Sequence, residues 1–335
     1  MKNNYTQSTW IKPDVALENQ LRPPSLDDFI GQEPLKQRLK ISIGASKKRG
    51  DVLSHCLFYG PPGLGKTTLA SIISHEMGAK LVVLSGPSIE KAGDLAGILT
   101  NLQEGDILFI DEIHRLSRVI EEYLYPAMED FVLDLTLDSG PNARSIQVKL
   151  NKFTLIGATT RMGLISGPLR SRFGINCRLD FYSSELLTKI ILRSSRVLSI
   201  FLDEEAALQI ALRCRGTPRI ANNLLKWVRD VAHMQNCNII KKDTVDQALN
   251  MLEIDDKGLD EMDKKILTTI IDHHGGGPVG VKTIGAALGE EDATLTEVYE
   301  PYLIMLGFLK ITPRGREATK LAFEHLQRQF PLESS

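Results

Sequence analysis

Residues 60–67 read Gly60-Pro61-Pro62-Gly63-Leu64-Gly65-Lys66-Thr67, the full GxxxxGK[ST] pattern of a phosphate-binding loop. The pattern narrows the fold because it works only between a strand and a helix. Both flanks are legible: the apolar run Cys56-Leu57-Phe58-Tyr59 precedes it, and the helical run Thr67-Thr68-Leu69-Ala70-Ser71-Ile72-Ile73 follows. Glycines such as Gly63 and Gly65 let backbone N–H groups close around phosphates, and the helix N-terminus adds partial positive charge. Lys66 can then reach the β- and γ-phosphates, and the Thr67 hydroxyl can ligate magnesium, with Thr68 beside it. The expectation is a protein that binds a nucleoside triphosphate with Mg2+.

Around this loop the chain alternates short apolar runs with helical patterns as far as Tyr182. Cys56–Tyr59, Lys80–Leu84, Asp106–Ile110 and Phe153–Gly157 have the length of buried parallel strands, which predicts a parallel sheet with helices on both faces. Ligands of such sheets bind beyond the carboxyl ends of the strands, where Asp111 and Thr160 also fall. One insertion interrupts the alternation. Residues 131–150 hold two period-two runs around Asp138-Ser139-Gly140-Pro141-Asn142, a β-hairpin that is either an extra edge of the sheet or a projecting arm for a partner.

Residues 183–254 are helical throughout, with Asp203 and Asp243 as expected N-caps and Arg215-Gly216-Thr217-Pro218-Arg219 placing Arg219 at a helix start. From residue 255 to 335 three helices, a strand at Phe308–Thr312 and the basic turn Pro313-Arg314-Gly315-Arg316 follow in the order of a winged helix. The predicted division is therefore 1–182, 183–254 and 255–335.

Composition excludes several classes. The net charge of −2 means that nucleic acid must be met by a local patch. No apolar run approaches the roughly 20 residues that span a bilayer, and the polar N-terminus lacks a signal-peptide core. Four scattered cysteines without a CxxC pair suggest neither a zinc site nor a disulfide framework. A cytoplasmic location without membrane contact is expected.

Ile107-Leu108-Phe109-Ile110-Asp111-Glu112 is an apolar strand ending in two carboxylates. Asp111 would hold Mg2+ and Glu112 would orient and deprotonate the attacking water, a residue that a binding-only switch does not need. Leu155-Ile156-Gly157-Ala158-Thr159-Thr160 ends another strand with hydroxyls, so Thr160 can meet the water or the γ-phosphate, or merely cap the strand. In Arg170-Ser171-Arg172-Phe173-Gly174, a guanidinium can stabilise the charge of a γ-phosphate in the transition state, while spacing alone favours surface ion-pair partners.

These motifs in this order resemble the AAA+ ATPases. More narrowly, Leu21-Arg22-Pro23, Gly60–Thr68, Glu104–Ser117, Leu124–Asp130, Phe153–Arg161, Gly216–Asn222, Gly275–Gly280 and Thr312–Arg316 are similar to the RuvB family of bacterial branch-migration motors. The resemblance implies a homo-hexameric, ATP-hydrolysing ring that drives Holliday junctions in recombination, DNA repair and the SOS response. It would act on double-stranded DNA at four-way junctions with RuvA, docked by the 131–150 hairpin, and with RuvC. The resemblance also implies residue roles. Lys66, Thr67 and Asp111 fall on nucleotide and magnesium positions, Glu112 on the hydrolytic one, Thr160 on the first sensor and Arg219 on the second. Arg172 falls on the finger that enters a neighbouring subunit, while Leu21, Arg22, Glu129, Asp130, Phe131 and Tyr182 surround the nucleotide.

The chain departs from the family pattern at Asp292 and Ile311, where many relatives are basic, and at Asn151-Lys152, where Pro-Pro is common. The first two remove positive charge from the expected DNA face, which leaves Arg314 and Arg316 of the wing to grip phosphates. The presumed recognition helix carries Glu297 and Glu300, which suits backbone contact better than base reading. The alternatives weighed are another AAA+ machine of the clamp-loader or replication-initiator type, and an ATP-gated DNA-binding regulator.

Overall fold

The computed structural model of the chain describes residues 20–136 and 145–330. They form two packed units, one up to residue 186 and one from residue 187. In the first, the strands in chain order are β1 (Cys56–Tyr59), β2 (Leu81–Ser85), β3 (Ile107–Asp111), β4 (Val132–Thr136), β5 (Ser145–Lys149), β6 (Thr154–Thr159) and β7 (Ile175–Arg178). Five of them make one parallel sheet in the order β2-β3-β6-β1-β7. The central strand β6 is buried along its whole length, as a strand covered by helices on both faces must be.

Four of these strands lie within two residues of the apolar runs in the sequence. Strand β7 does not announce itself, because Ile-Asn-Cys-Arg is an edge strand with alternating burial and no apolar run. Its pairing to β1 supplies what its composition does not.

Strands β4 and β5 pair only with each other, antiparallel from Val132↔Lys149 to Thr136↔Ser145, so the inserted hairpin is not an extra edge of the parallel sheet. Its root is fixed by Leu133 and Leu150, both buried in the core cluster with Phe153, while Ile146 is exposed. The turn expected at Asp138–Asn142 lies outside the described residues. Asn151 and Lys152, where the resemblance leads to an expectation of Pro-Pro, are not idle. Asn151 Nδ2 donates to the Leu102 carbonyl (2.8 Å) and the Lys152 N–H to Glu104 (3.1 Å), a bond no proline can make.

The second unit contains the helices Ser184–Val197, Glu204–Arg213, Pro218–Met234 and Lys242–Asn250, followed by the winged-helix elements. Asp203 caps its helix by accepting from the Ala206 N–H (2.7 Å). Asp243 does not cap. Lys241 occupies that position, because the chain is still extended at Ile240, bridged to Leu202, and turns helical immediately afterwards. Asp243 instead lies in the first turn, where its charge still complements the helix dipole.

Helix Glu261–Thr268 opens with a capping box between Asp260 and Asp263. Helix Val281–Leu288 and a segment made of Asp292–Thr294, a π-turn at Leu295–Tyr299 and Glu300–Met305 complete the three-helix core around Tyr299 and Leu303. The wing is a hairpin of β8 (Leu309–Thr312) and β9 (Gly315–Ala318), of which only the first strand was legible as such. Gly315 begins β9 at φ 140°, and a Cβ there would meet the Val279 carbonyl at 2.5 Å. That close approach lets Val279 and Arg316 exchange backbone hydrogen bonds at 2.8 and 2.9 Å.

Candidate functional site

The phosphate loop leaves β1 at Gly60 and enters helix Lys66–Met77. Gly60, Gly63 and Gly65 take φ values of 141°, 77° and 105°, which side-chain-bearing residues rarely adopt. A Cβ on Gly60 would also strike the Leu179 carbonyl at 2.3 Å, so the loop is pinned where the chain leaves β7. The Lys66 ammonium lies within the loop and donates to the Gly60 and Pro61 carbonyls, both at 2.8 Å. Thr67 and Thr68 occupy the first helical turn, half-buried.

Strand β6 lies between β1 and β3, so the loop and the acidic end of β3 flank the Thr159-Thr160 end of β6. Lys66, Asp111, Glu112 and Thr160 thus lie at or just beyond the carboxyl ends of three neighbouring strands of one sheet. Asp111 Oδ1 accepts from the Glu112 N–H (3.0 Å), and Glu112 sits at φ 50°, a strained value for a residue with a side chain. Gly86 makes room for this turn, since a Cβ there would meet the Glu112 carbonyl at 2.5 Å. The Glu112 carboxylate pairs with Arg115 (3.1 Å) on the surface.

The two threonines divide their work by strand alternation. Thr159 is buried, its Oγ1 2.9 Å from His114 Nδ1 and accepting from the Arg161 N–H. Thr160 is left half-exposed at the sheet edge. Burial pushes the His114 imidazole down from its ordinary pKa, against the upward pull of Glu112, so it acts here as a neutral hydrogen-bonding ring.

Arg172 follows the short helix Gly167–Ser171, which Ser166 caps. Its guanidinium lies 4.4 Å over the Tyr125 ring, donates to the Pro168 carbonyl (2.7 Å) and pairs with Glu129 (2.9 Å). Beneath it, Glu121 Oε2 accepts from Ser166 (2.5 Å) and from Tyr125 (3.1 Å). Sequence reading named Arg172 and Glu129 but missed Glu121, Tyr125 and Ser166. The available signal was the i, i+4, i+8 spacing of Glu121, Tyr125 and Glu129 on helix Arg118–Glu129.

The remaining candidates are dispersed. Leu21 is buried and Arg22 half-buried. Tyr182 is buried against Gly31, and its hydroxyl donates to the Leu64 carbonyl of the phosphate loop (3.3 Å). Glu129 and Asp130 are exposed. The Phe131 ring, expected beside the nucleotide, is turned into the hairpin root, 5.9 Å from Phe153 and 6.4 Å from His55. Arg219 is exposed in the first turn of helix Pro218–Met234, in the second unit.

In the wing the two arginines part company. Arg314 is exposed at the turn. Arg316, expected beside it as a phosphate contact, instead grips the buried Glu300 carboxylate with two nitrogens, at 2.7 and 3.1 Å. A basic turn in a sequence does not show which of its cations already has a buried counter-charge.

With this geometry in view, three family models match consecutive stretches of the chain. They are the Holliday junction DNA helicase RuvB P-loop domain over residues 21–179, the RuvB AAA lid domain over 182–255 and the RuvB C-terminal winged helix domain over 256–327. The chain belongs to the RuvB family. A RuvB relative from Protochlamydia amoebophila, a Holliday junction branch migration complex subunit, is 62% identical over 97% of this chain and 98% of its own length. Another from Chlamydia pneumoniae is 56% identical over 95% of this chain and 94% of its own. The solved Thermotoga maritima RuvB Holliday junction branch migration motor superposes with a TM-score of 0.86 at 51% identity, covering 93% of this chain and 100% of that one. Membership of the RuvB family makes this a nucleotide-binding AAA+ protein with a winged-helix head. Among the described residues no helix is long and apolar enough to cross a membrane.

Proposed function

We propose that this chain is an ATP-hydrolysing motor that drives branch migration of Holliday junctions. The observation that carries the reading is the placement of Lys66, Asp111, Glu112 and Thr160 at the carboxyl ends of neighbouring strands in a chain of the RuvB family. Lys66 would hold the β- and γ-phosphates, and Glu112 would orient and deprotonate the attacking water. Thr160 would meet that water or the γ-phosphate from the neighbouring strand end. The oxygen-only pair of Thr67 hydroxyl and Asp111 carboxylate suits Mg2+, which would neutralise phosphate charge when bound. Leu21, Arg22 and Tyr182 would line the nucleotide, and Arg219 would report on its γ-phosphate.

Arg172 is the candidate finger for a neighbouring subunit of a homo-hexamer. Its present partners, a surface carboxylate, a backbone carbonyl and a ring face, are ones a γ-phosphate can displace, and Glu129 and Asp130 would lie at the same boundary. The separate hairpin of β4 and β5 is the candidate dock for RuvA, and RuvC would join the same assembly. The working division is 1–182 for the ATPase domain, 183–254 for the lid and 255–335 for the head. On this reading the protein would work in the cytoplasm, in recombination, repair and the SOS response.

The test is strand displacement from a synthetic four-way junction, with the junction-binding partner, ATP and Mg2+ present. Wild type should dissociate the junction only with hydrolysable ATP, whereas Glu112→Gln should bind ATP and leave the junction intact. Near-normal turnover by Glu112→Gln at saturating ATP would remove Glu112 from the catalytic role.

A further inference from the structure

Among the described residues, the most completely buried ionic group lies outside the nucleotide site, where the lid segment meets the head within the second unit. Arg215 is 4% exposed, Asp260 3% and Asp263 0%. One guanidinium nitrogen of Arg215 reaches Asp263 at 2.5 Å and Asp260 at 2.9 Å, while its Nε donates to the Gly258 carbonyl at 3.1 Å. The guanidinium also lies 5.2 Å over the Tyr302 ring, and the Tyr302 hydroxyl donates to the Lys257 carbonyl at 2.5 Å. One side chain from the lid therefore holds the connecting segment, the capping box of the first head helix and a residue of the third.

Two details show that the chain accommodates this contact at a cost. Arg215 itself is at φ 55°, a strained value that only a strong set of partners maintains. Gly258 is at φ 75°, and a Cβ there would strike the Arg213 carbonyl at 2.8 Å, so the connecting segment presses directly on the lid backbone. On its other side Arg215 leads straight into the turn that carries Arg219. The Thr217 hydroxyl donates to the Arg215 carbonyl (3.0 Å), the Thr217 N–H donates to Cys214 (3.0 Å), and helix Pro218–Met234 begins at the next residue.

We infer that Arg215 is a positioning residue that clamps the Arg219 turn to the head, so that the lid and the DNA-binding head move as one body when the nucleotide state changes. Desolvation offsets most of the attraction in such a buried group, so fixing geometry is the use it would serve in a mechanical joint. The clamp makes a displacement of Arg219 a displacement of the head, where a flexible connection would absorb it. The inference rests on the proposed reading of Arg219.

The experiment uses the full chain on a synthetic junction with its junction-binding partner, measuring ATP hydrolysis without DNA and junction movement per ATP. Arg215→Met/Asp263→Asn removes one charge of each sign and leaves Asp260 capping its helix. Arg215→Lys keeps the charge but cannot span Gly258, Asp260 and Asp263 at once. Both variants should hydrolyse ATP without DNA to within about twofold of wild type, while junction movement per ATP falls by a factor in the range of about 5 to 150 typical of coupled sites. A merely structural role predicts parallel losses in both quantities, which would overturn the clamp. So would unchanged movement per ATP in either variant once cooperative thermal unfolding shows that it is folded. Arg219→Ala separates the two readings. If it leaves hydrolysis intact, the reading of Arg219 fails; if it abolishes hydrolysis while the Arg215 variants keep full coupling, only the clamp fails.

Discussion

Lys66 in the phosphate loop and Arg316 in the wing are both cations in glycine-containing turns, and the sequence assigns both to phosphates. The structure separates them by their partners. Lys66 donates to two carbonyls of its own loop, neutral acceptors that an anion can replace with gain. Arg316 is joined through two nitrogens to a carboxylate that is 4% exposed, and leaving that partner would strand a buried charge. A cation is available to a ligand when its resident partner is weaker than the ligand, and spacing in a sequence does not report that.

The largest effect should come from the first of the pair. Lys66→Ala should abolish ATP hydrolysis while costing at most about 3 kcal/mol of stability, since the hydrogen bonds it loses are charge-assisted but strand no buried charge. Unfolding of the first unit in this variant, seen as a large fall in Tm, would make Lys66 a structural cation and erase the contrast.

Arg316→Ala should act in the opposite way, destabilising the head by about 3–5 kcal/mol because Glu300 is left buried and unpaired. Arg314→Ala, at the exposed tip of the same turn, should leave Tm unchanged. It should flatten the plot of log DNA affinity against log salt by about 0.9, the contribution of one neutralised phosphate. If Arg316→Ala, held folded at low temperature, flattens the slope as much as Arg314→Ala, then Arg316 exchanges Glu300 for DNA and the comparison breaks. Asp292 and Ile311 supply no positive charge, so Arg314 should carry more of the DNA contact than it would if those positions were basic.

The smallest effect tests whether neutral partners leave a group's charge open to change elsewhere in the molecule. His55 is buried between the Met128 carbonyl (3.0 Å) and the Leu155 N–H (2.8 Å), and burial lowers its pKa from 6.5. Its folded pKa lies below the unfolded one, so its stability contribution is complete above about 6.5 and is lost as pH falls toward the folded value. The loss is at most about 1.4 kcal/mol per pH unit. His55→Gln should flatten the fall in Tm between pH 7.5 and pH 5.5, as measured by thermal unfolding. His114, lowered in the same direction by burial, should add to the slope that remains. An unchanged profile in His55→Gln would assign the acid sensitivity to other groups.

Much of the fold was legible because short apolar runs bounded by glycine have few ways to be buried. The phosphate loop, the acidic strand end, the Thr159-Thr160 end and the winged-helix order all follow from such local patterns. Strand β7 was not legible, since an edge strand needs no apolar run when β1 supplies its pairing. The second wing strand was hidden for a similar reason, because Gly-Arg-Glu-Ala becomes a strand through Val279 and β8. Asp243 failed as a cap because a long-range bridge at Ile240 fixed where its helix begins.

By itself the sequence determined the chemistry at hand: a lysine in a glycine loop, paired carboxylates at a strand end, threonines beside them and a basic turn at the other end of the chain. These depend on residues close in sequence, whose geometry strands, helix ends and glycine φ values dictate. The tertiary structure alone decided which charges were already spent. Arg316 on Glu300 and Arg215 on Asp260 and Asp263 are pairs brought together across 16 to 48 residues. The physical reason is that burial, not spacing, sets the strength of an ion pair, and burial is a property of the packed chain.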